Sequence, residues 1–336
     1  MKIGFEKIKE ICTGAARVER YGEGVSFHRF TEKQEELYKR ISADFYTKSL
    51  ATAGVRLSFR TNSERLVLRG DITPGSSRLY YSIDVFVNGQ PVGYVDNFSS
   101  VELPVAYAKE VLPLGPFESE LALGEGDKEV CVYLPWSVRV RIDELCVDDG
   151  AYIYPLAQKK TLLAFGDSIT QGYDALRPSS RYISRVCDAL SAAELNKAIG
   201  GEVFRGTLAE EPDDITPDYI TVAYGTNDWN GTTKEKMKQN CREFFGALRE
   251  NYPAARIFAI TPIWRKDYAE ARSYGDFLSV NEDIREAADG LDVIFIYGFD
   301  LVPKDEKYFA DLRLHPNDEG FDHYFNNLIA KIKENI

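Results

Sequence analysis

Two kinds of periodicity predict an α/β protein in which an all-β jelly-roll sandwich precedes a flavodoxin-like three-layer α/β/α domain. From about Gly24 to Asp149, apolar and polar residues alternate with a period of two, which is typical of half-buried strands. After Tyr154-Pro155, strand-like runs alternate with helical patterns, as in a parallel sheet covered on both faces. We place the domain boundary between these two sequence patterns, so that the predicted domains span residues 1–155 and 156–336.

Turn residues divide the first domain into many short strands. The pair Asn88-Gly89 lies between two apolar runs and predicts a hairpin, because a type I′ turn needs two residues that tolerate positive φ. Short strands separated by Gly, Pro and Asn favour an antiparallel jelly roll. The runs are VRLSFRTN, RLVLRGDI, YYSIDVFVNGQPVGYV and KEVCVYLPWSVRVRIDELCVDDG.

The second domain alternates apolar strands with amphipathic helices. Predicted strands are Leu162–Phe165, Leu195–Ile199, Tyr219–Tyr224, Ile257–Thr261 and Val293–Tyr297. Predicted helices are Ser180–Ala192, Lys234–Asn251, Phe277–Ala288 and Glu319–Asn335. Strands in this order predict a parallel sheet whose carboxyl edge collects the loops that bind ligands.

The composition excludes several function classes. With 41 Lys+Arg against 53 Asp+Glu, the net charge is −12, which disfavours nucleic acid or an anionic membrane as partner. No apolar run approaches the ~18 residues of a membrane helix, and the first residues carry no apolar signal segment. We therefore expect a cytoplasmic protein with a small-molecule or oligosaccharide partner. The oligomeric state stays open, a homo-oligomer included.

Cysteine and histidine usage disfavours a metal site. The 5 cysteines are scattered without CxxC spacing, which fits reduced thiols and gives no support to a zinc site. A three-histidine site would need all 3 histidines, His28, His315 and His323, which come from opposite ends of the chain. We expect neither a metal nor an organic cofactor.

Four short segments follow predicted strands or precede the last helix, where one edge of the sheet could bring them together. They are FGDSIT (Phe165–Thr170), NKAIGG (Asn196–Gly201), YGTND (Tyr224–Asp228) and LHPND (Leu314–Asp318). Ester cleavage requires a serine nucleophile with a base to take its proton, and these segments offer Ser168 and His315. Donors for the oxyanion are the N–H groups of Ser168 and Gly201 and the side-chain amide of Asn227.

In that order, FGDSIT, the glycine of NKAIGG, GTND and HPND resemble the four sequence blocks of the SGNH (GDSL-type) hydrolases. The resemblance implies that Ser168 is the nucleophile, His315 the base, and Gly201 and Asn227 oxyanion donors. The strand-rich first half, the LPWSVRVRIDEL run and TPIWR also resemble two-domain family members with a preceding jelly roll. Such members are often carbohydrate esterases that remove acetyl groups.

One departure from the family pattern concerns the acid behind the base. The family usually has an aspartate three residues before its histidine, a position that is Leu312 in this chain. Asp311, four residues before His315, could orient the imidazole if the loop adjusts. Alternatively, a backbone carbonyl does so and the site is a Ser-His dyad.

Other residues have structural as well as functional interpretations. Ser168 alone could cap the following helix, and Asp167 is expected to bond the turn backbone. Trp229 and Trp264 could line a sugar-binding cleft, with core packing as the alternative.

These features predict a serine esterase that hydrolyses small acyl esters, with O-acetylated saccharides as the favoured substrate. One alternative is an acyltransferase that uses the same residues. Another is a carbohydrate-binding protein whose esterase domain is degraded.

Overall fold

An antiparallel β-sandwich forms most of the N-terminal domain in the computed structural model, which describes residues 1–336. Its strands are β1 (Cys12–Thr13), β2 (Arg17–Tyr21), β3 (Gly24–His28), β4 (Arg56–Thr61), β5 (Arg65–Pro74), β6 (Ser82–Val87), β7 (Gln90–Asp96), β8 (Pro116–Ala122), β9 (Lys128–Tyr133), β10 (Val138–Cys146) and β11 (Tyr154–Pro155).

The strand order is that of a jelly roll. One sheet runs β1-β4-β9-β6-β7, with β11 on β4, and the other runs β2-β3-β10-β5-β8. From β3 to β10 the chain fills two four-stranded sheets in the orders β3-β10-β5-β8 and β4-β9-β6-β7, as two Greek keys do. The predicted hairpin is confirmed: Asn88 and Gly89 have φ values of 50° and 77° and join β6 to β7.

The N-terminal domain also contains helices that the expectation of an all-β domain missed. These are α1 (Phe5–Ile11), α2 (Glu32–Ile41) and α3 (Ala43–Ser49). Helix α2 begins with a capping box in which Thr31 and Gln34 bond each other's backbone. Its buried positions include the polar residues Gln34 and Glu35. The sequence of α2 therefore lacks the apolar periodicity by which a helix is recognised.

The C-terminal domain is a five-stranded parallel sheet with helices. Its strands are β12 (Lys160–Gly166), β13 (Ala192–Asn196), β14 (Tyr219–Ala223), β15 (Arg256–Ile260) and β16 (Val293–Ile296). Its helices are α4 (Ser168–Gln171), α5 (Tyr182–Leu190), α6 (Gly206–Ala209), α7 (Asp228–Gly231), α8 (Lys234–Asn251), α9 (Ser279–Ala287) and α10 (Asp318–Lys333). The order β13-β12-β14-β15-β16 is the flavodoxin order, so the predicted α/β fold is confirmed.

Buried polar contacts join the two domains. Arg29, with no exposed surface, follows β3 and donates from Nη1 to the carbonyls of Asn196 and Ala198 at 2.8 and 3.0 Å, just beyond β13. Arg177 of the C-terminal domain donates to Asp96 Oδ2 of β7 at 2.7 Å. Because buried charges need partners, these contacts fix the N-terminal domain against the carboxyl edge of the parallel sheet. None of the helices is long and apolar enough to cross a membrane.

Candidate active site

Ser168 follows the carboxyl end of β12, next to the point where the strand order reverses. Strand β12 ends at Gly166, and Asp167 caps α4 by accepting the Ile169 N–H at 2.9 Å. The cap is therefore Asp167 and not Ser168, whose Oγ lies 2.9 Å from His315 Nε2. The switch point, between β12 and β14, is where flavodoxin-like folds bind ligands.

His315 lies on a tightly bonded loop before α10. Phe309 and Pro316 form an isolated β-bridge, and the Ala310 N–H donates to the His315 carbonyl at 2.9 Å. His315 Nδ1 lies 2.8 Å from Asp311 Oδ2. The structure thus places Ser168, His315 and Asp311 in one line of hydrogen bonds.

The four-residue spacing from Asp311 to His315 is accommodated by a left-handed residue. Leu312 has a φ of +55°, which bends the chain so that the Asp311 carboxylate faces back along the loop. Asp311 Oδ1 accepts the N–H groups of Arg313, Leu314 and His315, at 3.0, 2.7 and 3.1 Å. The hydrogen-bond partner of His315 Nδ1 is therefore the Asp311 carboxylate. In a Ser-His dyad, a backbone carbonyl would take this place.

The environment of Asp311 favours its ionised form. Burial alone would raise the pKa of this carboxyl, but the hydrogen bond and charge of His315, with the N–H groups of Leu314 and His315, outweigh it. The pKa of Asp311 is consequently well below its usual value. Asp167, in contrast, has a pKa raised to about 6 by burial, an effect that its hydrogen bond from Ile169 only partly offsets.

The proposed oxyanion donors lie on the loops after β13 and β14. Gly201 has a φ of +90°, a conformation that favours glycine. Neither its N–H nor that of Ser168 donates a hydrogen bond within the protein. Asn227 Nδ2 donates one hydrogen to the Glu202 carbonyl at 3.0 Å, which joins the two loops. The second hydrogen on Nδ2 remains for an oxyanion.

We expect Asn227→Ala to lower kcat for ester hydrolysis by about 10²–10³, the typical cost of removing one oxyanion donor. KM should change little, because the donor acts on charge that develops in the transition state. Steady-state kinetics with p-nitrophenyl acetate checks this expectation. Asn230→Ala, at an exposed position in the short helix α7 that follows Asn227, is the control. Equal kcat in the two variants would remove Asn227 from the oxyanion site.

The structure buries both tryptophans that sequence reasoning considered for a sugar cleft. Trp229 has no exposed surface, donates its indole N–H to the Gly275 carbonyl at 2.8 Å and packs on Phe277. Trp264 is 7% exposed and packs on Phe309, in the loop that carries His315. For Trp229 the lining role is wrong, because no ring face is free. Core packing, the alternative interpretation, describes its position.

Sequence reasoning missed a second carboxylate beside the imidazole. Asp174 Oδ2 lies 3.5 Å from His315 Nδ1, and Asp174 has no exposed surface. Asp174, Asp311 and His315 have potential metal-ligand atoms within 4.8 Å of one another. However, the Asp174 oxygens accept hydrogen bonds from Arg78 and Tyr80, so a guanidinium already neutralises this carboxylate. No sequence signal links Asp174 to partners so far upstream.

Comparison with known proteins agrees with this architecture. Residues 164–323 match the model of the GDSL-like lipase/acylhydrolase family, a range that contains all five proposed site residues. No curated protein matches the sequence.

Several solved structures share the fold across both domains. The salicylyl-acyltransferase SsfX3 from a tetracycline biosynthetic pathway has a TM-score of 0.77 at 19% identity, covering 96% of this chain and 94% of its own. A candidate GDSL-like lipase from Bacteroides ovatus ATCC 8483 has a TM-score of 0.77 at 20% identity, covering 99% and 97%. The acetyl xylan esterase Est2A from Butyrivibrio proteoclasticus has a TM-score of 0.63 at 14% identity, covering 99% and 98%. The C-terminal domain therefore matches the GDSL-like lipase/acylhydrolase family over residues 164–323, and the jelly roll in front of it is part of the fold that these structures share.

Proposed function

We propose that this protein is a serine esterase that hydrolyses small acyl esters, with O-acetyl groups on saccharides as the favoured substrate. The observation that carries the proposal is the line of hydrogen bonds from Ser168 Oγ through the His315 ring to Asp311 Oδ2, at 2.9 and 2.8 Å. A nucleophile, a base and a group that orients the base are the parts that acyl transfer requires.

In this mechanism, Ser168 Oγ attacks the acyl carbonyl carbon while its proton moves to His315 Nε2. Asp311 holds the Nδ1 proton and stabilises the imidazolium that forms. The N–H groups of Ser168 and Gly201 and the Asn227 amide bind the oxyanion. His315 then protonates the departing alkoxide, which leaves an acyl ester on Ser168. A water molecule, deprotonated by His315, attacks this ester and releases the carboxylic acid and Ser168.

The saccharide part of the proposal comes from analogy with proteins of the same two-domain fold. Est2A is described as an acetyl xylan esterase, and another neighbour is a family two carbohydrate esterase from Cellvibrio japonicus, with a TM-score of 0.65 at 16% identity. At such identities the likeness concerns the fold, and substrate preference depends on the site. No step of the proposed reaction needs a metal or an organic cofactor.

An acyltransferase is the second candidate, favoured by the whole-chain likeness to SsfX3. It would use the same acyl-enzyme but pass the acyl group to an alcohol instead of water. The ratio of acetate to p-nitrophenol distinguishes the two reactions. Hydrolysis releases equal amounts even when sugars or other alcohols are added, whereas transfer lowers the acetate and yields an acetylated acceptor.

Acetylated xylo-oligosaccharides test the favoured substrate class directly. We expect the enzyme to release acetate from them and to cleave p-nitrophenyl acetate faster than the octanoate. A fluorophosphonate should label Ser168, as read by mass spectrometry of the peptide that contains it. Labelling without acetate release would retain the serine hydrolase and reject the saccharide substrate. If neither occurs, the third candidate, a carbohydrate-binding protein with a degraded esterase site, is favoured.

We also propose that the protein works in a reducing compartment such as the cytoplasm. All five cysteines are free thiols in the structure. Proteins stabilised by disulfides belong mainly to oxidising environments.

A further inference from the structure

A buried acidic side chain stands behind the proposed base in addition to Asp311. Asp174 follows α4 with a φ of +73°, and its Oδ2 is 3.5 Å from His315 Nδ1. Asp311 Oδ2 is 2.8 Å from the same nitrogen. Two carboxylates therefore face the side of the imidazole that points away from Ser168.

The N-terminal domain holds Asp174 in this position. Arg78, in the segment between β5 and β6, donates from Nε to Asp174 Oδ1 at 2.6 Å and from Nη2 to Oδ2 at 3.1 Å. The Tyr80 hydroxyl donates to Oδ1 at 2.6 Å, and the Tyr107 hydroxyl to the Asp174 carbonyl at 2.6 Å. The Arg78 side chain is only 12% exposed, so its charge acts in a poorly hydrated environment.

The charge balance around His315 decides whether the imidazole can act as a base. A histidine must be neutral at Nε2 to accept the serine proton, but each nearby carboxylate stabilises the protonated ring. Asp311 and Asp174 lie beside Nδ1, and the buried Asp167 also interacts electrostatically with His315. Without a compensating cation, this negative charge would favour the charged ring over the neutral one.

Resting on the proposed function, we propose that Arg78 and Asp174 are positioning residues through which the jelly-roll domain controls the protonation and orientation of His315. Asp311 Oδ2 accepts a hydrogen bond from Nδ1. Asp174 provides a second negative charge beside the ring, and its bidentate contact with Arg78 offsets most of that charge. The Tyr173 ring, 5.1 Å from the Arg78 guanidinium and 5.5 Å from the His315 ring, packs against both. The jelly-roll domain thus takes part in the chemistry through His315.

The proposal predicts opposite effects for the two partners. Arg78→Met leaves the Asp174 charge unbalanced, so the pH midpoint of His315 protonation should lie above that of the wild type. Asp174→Asn leaves the Arg78 charge unbalanced, so the midpoint should move lower by a similar amount. The double variant should return it close to the wild-type value.

Histidine ring NMR measures these midpoints without any enzymatic assay. The chain has only 3 histidines, so His28→Gln and His323→Gln variants assign the His315 signal. In parallel, the acidic limb of the pH profile of kcat/KM should move in the same directions, with activity largely recovered at high pH for Arg78→Met. If Arg78 and Asp174 had a purely structural role, their variants would lose activity at every pH and their His315 midpoints would match that of the wild type.

Two further variants separate charge from fold. Arg177→Met removes an arginine that crosses the same interface to Asp96 and makes no contact with His315, so its midpoint should match the wild type. Arg78→Lys keeps the positive charge and should also keep the midpoint, even if weaker geometry lowers kcat. If Arg78→Met does not fold, Arg78→Lys and Asp174→Asn still decide the question.

The outcomes separate this proposal from the proposed esterase function. The charge-balancing proposal is overturned if the His315 midpoints of folded Arg78 and Asp174 variants move in the same direction or do not move. This holds whether or not the protein hydrolyses esters. Opposed midpoints in a protein that hydrolyses no ester would keep the pair and reject the esterase.

Discussion

Replacing Ser168 by alanine is expected to lower kcat/KM for p-nitrophenyl acetate by about 10⁴-fold or more. The substitution removes the oxygen that would carry the acyl group, and His315 then has no hydroxyl to deprotonate. A residual rate above that in water would come from the oxyanion donors and substrate binding alone. The measurement is initial rates at several substrate concentrations, with thermal unfolding to show that the fold is retained.

Ser180→Ala is the matched control for the Ser168 variant. Ser180 is half-buried, lies in the same domain and has no contact with His315, so its loss should leave kcat/KM close to the wild-type value. Hydrolysis that persists in the Ser168 variant would mean that another group attacks the ester. The family match would then describe ancestry without describing the chemistry.

The parallel sheet was the most predictable part of the molecule. Buried parallel strands are apolar over most of their length, so β12 and β14 to β16 stand out between amphipathic helices such as Lys234–Asn251, whose bounds were predicted to the residue. Strand β13, which carries Glu194, was predicted at Leu195–Ile199 but spans Ala192–Asn196. Helices α2 and α3 were missed because their buried faces carry polar side chains. Gln34 and Lys197, for example, hydrogen-bond each other in the domain interface at 2.9 Å.

The parts of the candidate site also differ in how far the sequence could predict them. Ser168, Gly201 and Asn227 follow strands, and strand ends meet at one edge of a parallel sheet, so their placement at that edge could be predicted. The contact between Asp311 and His315 depends on the positive φ of Leu312, which nothing in that residue type demands. Arg78 and Asp174 are separated by 96 positions and belong to different domains, so only the packed structure brings them together.

Asp311→Asn is the second substitution for which we expect a large effect, a decrease in kcat/KM of about 10²–10⁴. An asparagine fills the same space, but its amide can present an N–H to His315 Nδ1. That contact would favour the ring form whose proton is on Nε2, which cannot accept the serine proton. The pH profile of kcat/KM, measured for both proteins, checks the effect, and Asp300→Asn, at an exposed position, is the control.

Asp174 cannot fully replace Asp311 in this variant. Its carboxylate lies 3.5 Å from Nδ1, farther than a normal hydrogen bond, and both of its oxygens already accept from Arg78. If Asp311→Asn nevertheless retains nearly full activity, Asp311 is not the orienting acid, and the residue that holds the imidazole is Asp174. Adding Asp174→Asn to that variant would then abolish the remaining activity, whereas an Asp311-dependent site would already have lost it. The two substitutions together therefore assign the role between the acid of the loop and the acid fixed by the jelly roll.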